Sequence, residues 1–445
     1  MASKTHFIAL VFVFATTLLF ESVTSLEEFK LGVLVPYTYD LNKEYPAADA
    51  YASAVSVAVE KVNSDPTLLN GAKLTFVWNN TACNQTKMVK QQHWQIKQGV
   101  VGFVGPSCHG RKAAKIARRH NLAVVSFDCQ DTHVSDKRLY PNVARTNPQH
   151  IKAALKLLSL LETKSLKRIS IVYQESPKFN EFKRQLTPLL KDRDVKIVDT
   201  HGIEIPTFHF GVPDFIKRLP SESQATVMVT DFDIAREIVY NVYVHFQKNA
   251  SDSYSRHTFV SVPLDRLTVK VNVLYPMKWF FSTYVRYTPE RENITKKAFQ
   301  RLLVVADAPN QDTAQYKEFE KELKKKASGS PWFSKAFQGC LMYGGQCIFD
   351  RSNTLIRFKG AYLYDAVIQF ATALHEVRQA GHKPTGTNVV NRLKRRHFVG
   401  ADGYLHEFDS NADVIYDYTI LGLMRDKNNK LNMLPLDSQN RILEH

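Results

Sequence analysis

After its first 25 residues, this chain of 445 has no apolar run long enough to span a bilayer. Roughly 20 consecutive apolar residues are needed, and "FIKRLPSESQATVMVT" and "AYLYDAVIQFATAL" are too short or too polar. The devices that cradle nucleotides or expose a serine nucleophile are missing too. In "GFVGPSCHG" (102–110), Gly105 and Gly110 stand five apart, but Arg111 and Lys112 follow with no Ser or Thr to complete a phosphate loop. "GVVGFVG" has the wrong spacing for G-x-G-x-x-G, and no G-x-S-x-G occurs. No internal repeat, low-complexity tract or long linker breaks the chain. Acidic residues are outnumbered, 43 against 59 Lys and Arg, for a net charge of +16. They are interspersed nearly throughout, so the excess is read as a solvated basic face biased toward acidic partners, without a nucleic-acid module.

Cysteine is scarce and odd in number: Cys83, Cys108, Cys129, Cys340 and Cys347. That is too few for a disulfide-framed miniprotein. The compartment is nonetheless oxidising. Lys4 precedes the apolar run Phe7–Phe20, and Val23 and Ser25 are small residues of the kind a signal peptidase prefers, so residues 1–25 are expected to be a signal peptide. Four N-x-S/T sequons, at Asn79, Asn84, Asn249 and Asn293, then read as surface glycosylation positions of a secreted, extracellular protein.

The body of the chain alternates. "KLGVLVP" (30–36), "KLTFVWNN" (73–80), "VVGFVGP" (100–106) and "AVVSF" (123–127) are short apolar strand patterns separated by helical stretches. The series restarts after Pro148 with "RISIVYQ" (168–174), "VKIVDT" (195–200), "ATVMVTDFD" (225–233) and "HTFVSV" (257–262). Such runs predict parallel strands joined by crossover helices. Two series predict an α/β protein of two doubly wound lobes with a ligand crevice at the carboxyl ends of the strands. Leu363, Ala366, Val367, Phe370, Ala371 and Leu374 mark an amphipathic helix stopped at Gly381. "FVGADGYLHEFDSNADVIYDYTILGL" (398–423) reads as an antiparallel hairpin around "DSNAD". The run "KELKKKASGS" (321–330) reads as a solvated helix end and loop.

Adjacency gives Cys108 and His109 no catalytic advantage, because neighbours leaving a strand point in different directions. Cys83 and Cys108 follow neighbouring strands at the same end, which predicts a disulfide between their loops. Cys340 and Cys347 bracket "LMYGGQ", whose glycines allow a tight turn and a second disulfide; Cys129 is left as a shielded thiol. The Gly-Pro turn at Ser107 and Cys108 opens onto a helix and offers amides to an anion, such as chloride or a ligand carboxylate. His201, His209, Asp199 and Glu204 are the nearest approach to a metal cluster and are read as surface polar residues. No catalytic residue, metal ligand or organic cofactor is expected.

Five stretches, in order, carry a resemblance: "DPTLLNGAKLTFVWNNTAC", "VVGFVGPSC", "ARTNP", "YLYDAVIQFATAL" and the 398–423 segment. Together they resemble the extracellular domains of natriuretic peptide receptors and related receptor guanylate cyclases, over about residues 28–435. The resemblance implies the type I periplasmic-binding-protein fold and a chloride held by the Gly105–Cys108 loop, where Ser107 stands in place of the family's glycine. It also implies a peptide hormone-like ligand held between two protomers of a homodimer; a small ligand would instead use the cleft, near Ser107, Ser126 and Arg145 at strand or turn ends. Three crossings, near Asn147, Tyr287 and Val399, would divide the chain into 26–147 plus 288–398 and 148–287 plus 399–436, with 437–445 as a tail. The expected function is a secreted receptor-like binder, in one form a soluble decoy without enzyme activity. The alternatives are the outer domain of a membrane receptor guanylate cyclase, or a scaffold of the same fold that binds nothing.

Overall fold

In the computed structural model the first β-α series closes into one fully parallel sheet. The residues described are 27–37, 48–204, 214–248, 253–264, 279–280, 288–307, 313–334, 353–416, 418–425 and 429–436. Strands β1 (Glu28–Val35), β2 (Lys73–Asn80), β3 (Gly102–Val104), β4 (Ala123–Ser126) and β5 (Val143–Arg145) lie in the order β2-β1-β3-β4-β5. Side chains alternate between its faces, as a strand's period of two requires. Val33, Val104 and Val125 join one core; Leu34, Phe103 and Val124 join the other. Helix α1 (Ala54–Asn63) covers the first face, and α2 (Gln85–Lys97) with α3 (Gly110–Arg119) covers the second. The Asn84 side chain caps α2 by accepting from the Lys87 amide at 3.0 Å.

The second series builds a seven-stranded sheet in the order β15-β14-β10-β9-β8-β6-β7. Its parallel part comprises β6 (Arg168–Gln174), β7 (Lys196–Ile203), β8 (Ala225–Val229), β9 (Thr258–Ser261) and β10 (Leu302–Asp307). Helices α4 (His150–Thr163) and α5 (Pro177–Asp192) pack on one face with Ile169, Ile171 and Val227. On the other side, α7 (Phe232–Lys248) packs on Val172, Met228 and Val304; α6 (Asp214–Glu222), α8 (Ser253–Arg256) and α9 (Pro289–Ala298) complete the second layer. The α/β class with two doubly wound sheets is therefore present.

Two boundaries expected from sequence are corrected. β10 pairs in parallel with β9 and antiparallel with β14 (Tyr418–Arg425), so 289–307 belongs with the second sheet rather than with 26–147. The segment 397–416 belongs with the first. It forms a small antiparallel sheet, β11 (His397–Val399), β12 (Leu405–Phe408) and β13 (Val414–Ile415), whose Phe398, Phe408 and Val414 enter the first core. The chain returns to the second sheet between Tyr416 and Tyr418, and β15 (Leu431–Leu436) then forms that sheet's edge. Between these crossings, α10 (Ala314–Ala327), α11 (Asn353–Gln379) and α12 (Gly386–Leu393) all contribute to the first core.

One buried group makes the second sheet acid-sensitive. His257 Nδ1 donates to the Ser223 carbonyl at 2.9 Å, leaving Nε2 to accept from Thr226 Oγ1 at 2.8 Å. Burial pushes its pKa down to about 4, against the opposing Ser223 hydrogen bond. A lowered folded pKa means stability that is present above the unfolded value of 6.5 and lost as pH falls toward 4. The loss reaches up to about 3 kcal/mol. Urea unfolding at pH 7 and pH 4.5 should show that His257→Gln flattens this decline; an unchanged pH dependence would contradict it.

Candidate functional site

In both sheets the strand order reverses once, between β1 and β3 and between β6 and β8. Loops leaving the carboxyl ends of such strand pairs are where ligands of doubly wound sheets bind. The first pair ends in the 105–110 loop. Gly105 has φ +93°, and a Cβ there would lie 2.3 Å from the Leu34 carbonyl oxygen, so the turn requires glycine. Its amide donates to Val125 O at 3.0 Å, and the Pro106 carbonyl accepts from Ser126 Oγ at 3.0 Å.

The expected Cys83–Cys108 disulfide is present, with Cα atoms 5.4 Å apart. His109 caps α3 in the left-handed region at φ 62°, and its Nε2 donates to the Cys83 carbonyl at 3.1 Å. Sulfur and imidazole are both committed to tying two loops together. Ser107 and Cys108 remain half-buried at the start of α3, with the Ser107 hydroxyl 3.9 Å from Cys108 Sγ. The anion donors expected there are thus the loop amides and one hydroxyl, a neutral set suited to a monovalent anion. Joint replacement of Cys83 and Cys108 by Ser should cost roughly 3 kcal/mol by the chain-entropy relation for a loop of this length. Denaturant unfolding measures it, and native stability in the variant would contradict the disulfide's role. Cys340 and Cys347 lie outside the described residues.

Ser126 and Arg145, expected to line the cleft, are fully buried. Ser126 Oγ also accepts from the Cys129 amide at 3.1 Å. Arg145 grips Asp413 with both prongs, Nε to Oδ1 at 2.7 Å and Nη2 to Oδ2 at 2.8 Å. Nη1 donates to the carbonyls of Cys129 (3.2 Å) and Asp131 (3.0 Å), and Nη2 reaches Gln149 Oε1 (2.9 Å) and the Ser135 hydroxyl. Burial disfavours charge on Asp413, yet the Arg145 hydrogen bonds and charge outweigh it and hold the carboxyl below its usual range. Nearby, burial pulls Lys137 down to about 8. Arg145 is a positioning residue: it fastens the end of β5 to the 409–413 turn just before the chain leaves the first sheet.

Cys129 is a buried free thiol whose pKa burial pushes up. A Cβ at Gly110 would lie 2.3 Å from its Sγ, so the thiol is sealed against the start of α3. The sequence reading missed the groups that do reach the strand ends. Asp128, after β4, pairs with Lys359 of α11 at 2.8 Å. In the second sheet Gln174 Oε1 accepts from the Asp231 amide at 3.0 Å, and Lys178 lies 3.6 Å from Asp231. Apart from Lys359 on α11, each stands within two residues of a strand end or on the helix that follows, and that placement was the available signal.

His201 Nε2 lies 2.6 Å from Asp199 Oδ2 on edge strand β7; His209 is outside the described residues. Among the described residues no group of three or more His, Cys, Asp or Glu is placed to hold a metal. Asn84 and Asn293 are exposed, Asn79 is half-buried with its Oδ1 accepting from Gln95 Nε2 at 3.0 Å, and Asn249 is outside the described residues. Among the described residues no helix is long and apolar enough to cross a membrane.

A model of the receptor family ligand-binding region matches residues 50–426. The speract receptor of Strongylocentrotus purpuratus is 23% identical over 403 residues, covering 85% of this chain and 34% of that protein. A receptor-type guanylate cyclase of Drosophila melanogaster is 23% identical over 432 residues, 91% of this chain and 27% of its own length. The human gamma-aminobutyric acid type B receptor subunit 2 is 30% identical over 154 residues, 34% of this chain and 16% of its own. The chain spans about a third of the length of the curated relatives it matches.

Proposed function

The chain belongs to the family of receptor ligand-binding regions, and we propose that it is the extracellular ligand-recognition part of a receptor of guanylate-cyclase type. The family match across 50–426 carries this reading, and the two strand-order reversals support a ligand at the carboxyl ends of the strands. The ligand is a peptide or small extracellular molecule, taken up without chemical change. Ser107, Asp128 and Lys359 face it from the first sheet, and Lys178 and Asp231 from the second. Ser126 and Arg145 act behind them by holding the loops. A chloride at Ser107 and Cys108 belongs to the same reading; millimolar chloride would raise the unfolding temperature more than gluconate at the same ionic strength.

The test is native mass spectrometry of the secreted protein, followed by unfolding with each retained ligand. A ligand at a hundred times its Kd should add about 2.7 kcal/mol. Lys359→Gln should abolish that gain; because it also breaks a largely buried ion pair with Asp128, the quantity compared is the ligand-induced shift, not the unliganded stability. If no retained or added extracellular ligand shifts the transition, the scaffold reading takes its place. A homodimer appearing only with ligand would locate a peptide between protomers; release from cells without a membrane-bound form would support a soluble decoy.

A further inference from the structure

We propose that the outer face of α2 and α3 binds a linear sulfated polysaccharide. The surplus of basic residues is not evenly diluted. From Pro66 to Phe127 the chain has no Asp or Glu, and it has nine Lys and Arg. The fold gathers most of them on one surface. Lys87, Lys90 and Lys97 are exposed along α2, and Lys112, Lys115 and Arg119 along α3, each set at the three- and four-residue spacing that puts side chains on one helical stripe. The helices lie side by side: Gln92 Nε2 donates to the Ala113 carbonyl at 3.0 Å, and the His93 and His120 rings meet edge to face with centroids 6.5 Å apart.

Among the described residues no carboxylate pairs with any of these six cations. The next acids along the chain are committed, Asp128 to Lys359 at 2.8 Å and Asp131 to Arg111 at 2.7 Å. Unpaired cations one turn apart along each stripe repel, and a polyanion relieves that repulsion. Two stripes on helices of 13 and 10 residues, roughly 20 and 15 Å long, suit a chain laid along them.

The occupant is narrowed by composition. Protein–protein interfaces are depleted in Lys and centre on several large apolar anchors; here Trp94, 43% exposed, is the one large apolar side chain on the stripes. A second copy of the same face would add like charge to like. For an extracellular ligand-binding region, a polymer bearing dense sulfates and carboxylates is the matching chemistry.

The experiment measures binding of the full chain to an immobilised heparin oligosaccharide across a salt series. Lys90→Gln, Lys97→Gln, Lys115→Gln and Arg119→Gln together should lose at least about tenfold in affinity and flatten the salt dependence. Removing four charges from α10 instead (Lys317→Gln, Lys321→Gln, Lys324→Gln and Lys325→Gln) should change affinity by less than about twofold. Wild-type protein acetylated with and without the oligosaccharide gives an independent reading, in which Lys90, Lys97 and Lys115 should be protected. Equal losses in the two variants, no protection, or equal binding of desulfated polymer would overturn the proposal. So would tighter binding to polyglutamate or to phosphatidylserine vesicles.

Discussion

Arg145→Ala is expected to cost roughly 3–5 kcal/mol of stability, the range for removing one partner of a buried ion pair. Asp413 would be left fully buried, with only Ser135 Oγ, among the described residues, donating to its side chain at 2.8 Å. The carbonyls of Cys129 and Asp131 would each lose a charged donor as well. At roughly 2–4 °C per kcal/mol, the shift in unfolding temperature should be about 10 °C. Arg145→Lys should recover little, because an ammonium cannot reproduce the bidentate fork. Removing both charges, as Arg145→Met with Asp413→Leu, should cost less than the single alanine change. The pair also sets an acid limit. Asp413 has a depressed folded pKa, so its contribution is present above the unfolded carboxylate range and lost as pH falls through the folded value. A stable Arg145→Ala variant with wild-type acid unfolding would refute the assignment.

Arg145 also shows where reading a sequence stops. Its place at a strand end was legible, and strand ends are where ligands bind, so a ligand role followed. Its partner lies 268 positions away, and no local pattern announces that pairing. The same separation hid the place of β10. "LLVVAD" is a plain strand run, but its neighbours are β9 and a strand more than a hundred residues later, so its sheet could not be read from spacing. What was legible was local. β2 and β6 have the bounds their apolar runs suggested: β6 is buried on both faces and cannot hide its composition, and β2, a half-buried edge strand, still carries its apolar run from Leu74 to Trp78. Cys83 and Cys108 were legible because their loops lie at the same end of one sheet, although β1 lies between their strands β2 and β3. The basic face was not, since it forms only when right-handed crossovers bring α2 and α3 together.

Val367→Asp is the sharpest test of how the chain divides. Val367 has no solvent exposure and lies in the first core with Ala366, Phe370 and Ala371, where α11 packs on α1 and the sheet. A carboxylate there is buried among apolar side chains of that core, so the substitution should cost roughly 4 kcal/mol or more. Val367→Ala, which only removes methyl groups, should cost roughly 2 kcal/mol. Gln379→Asp, at the exposed end of the same helix, should stay within about 1 kcal/mol. The three values separate buried charge from lost packing and from helix propensity. The loss should fall on the first sheet, to which α11 and 397–416 both belong. Hydrogen exchange should therefore show protection lost in β1, β3 and β12 of the Val367→Asp protein while β6, β8 and β14 keep theirs. Equal loss in both groups would mean that the two sheets unfold as one unit, and a fully protected variant would mean that α11 does not bury Val367.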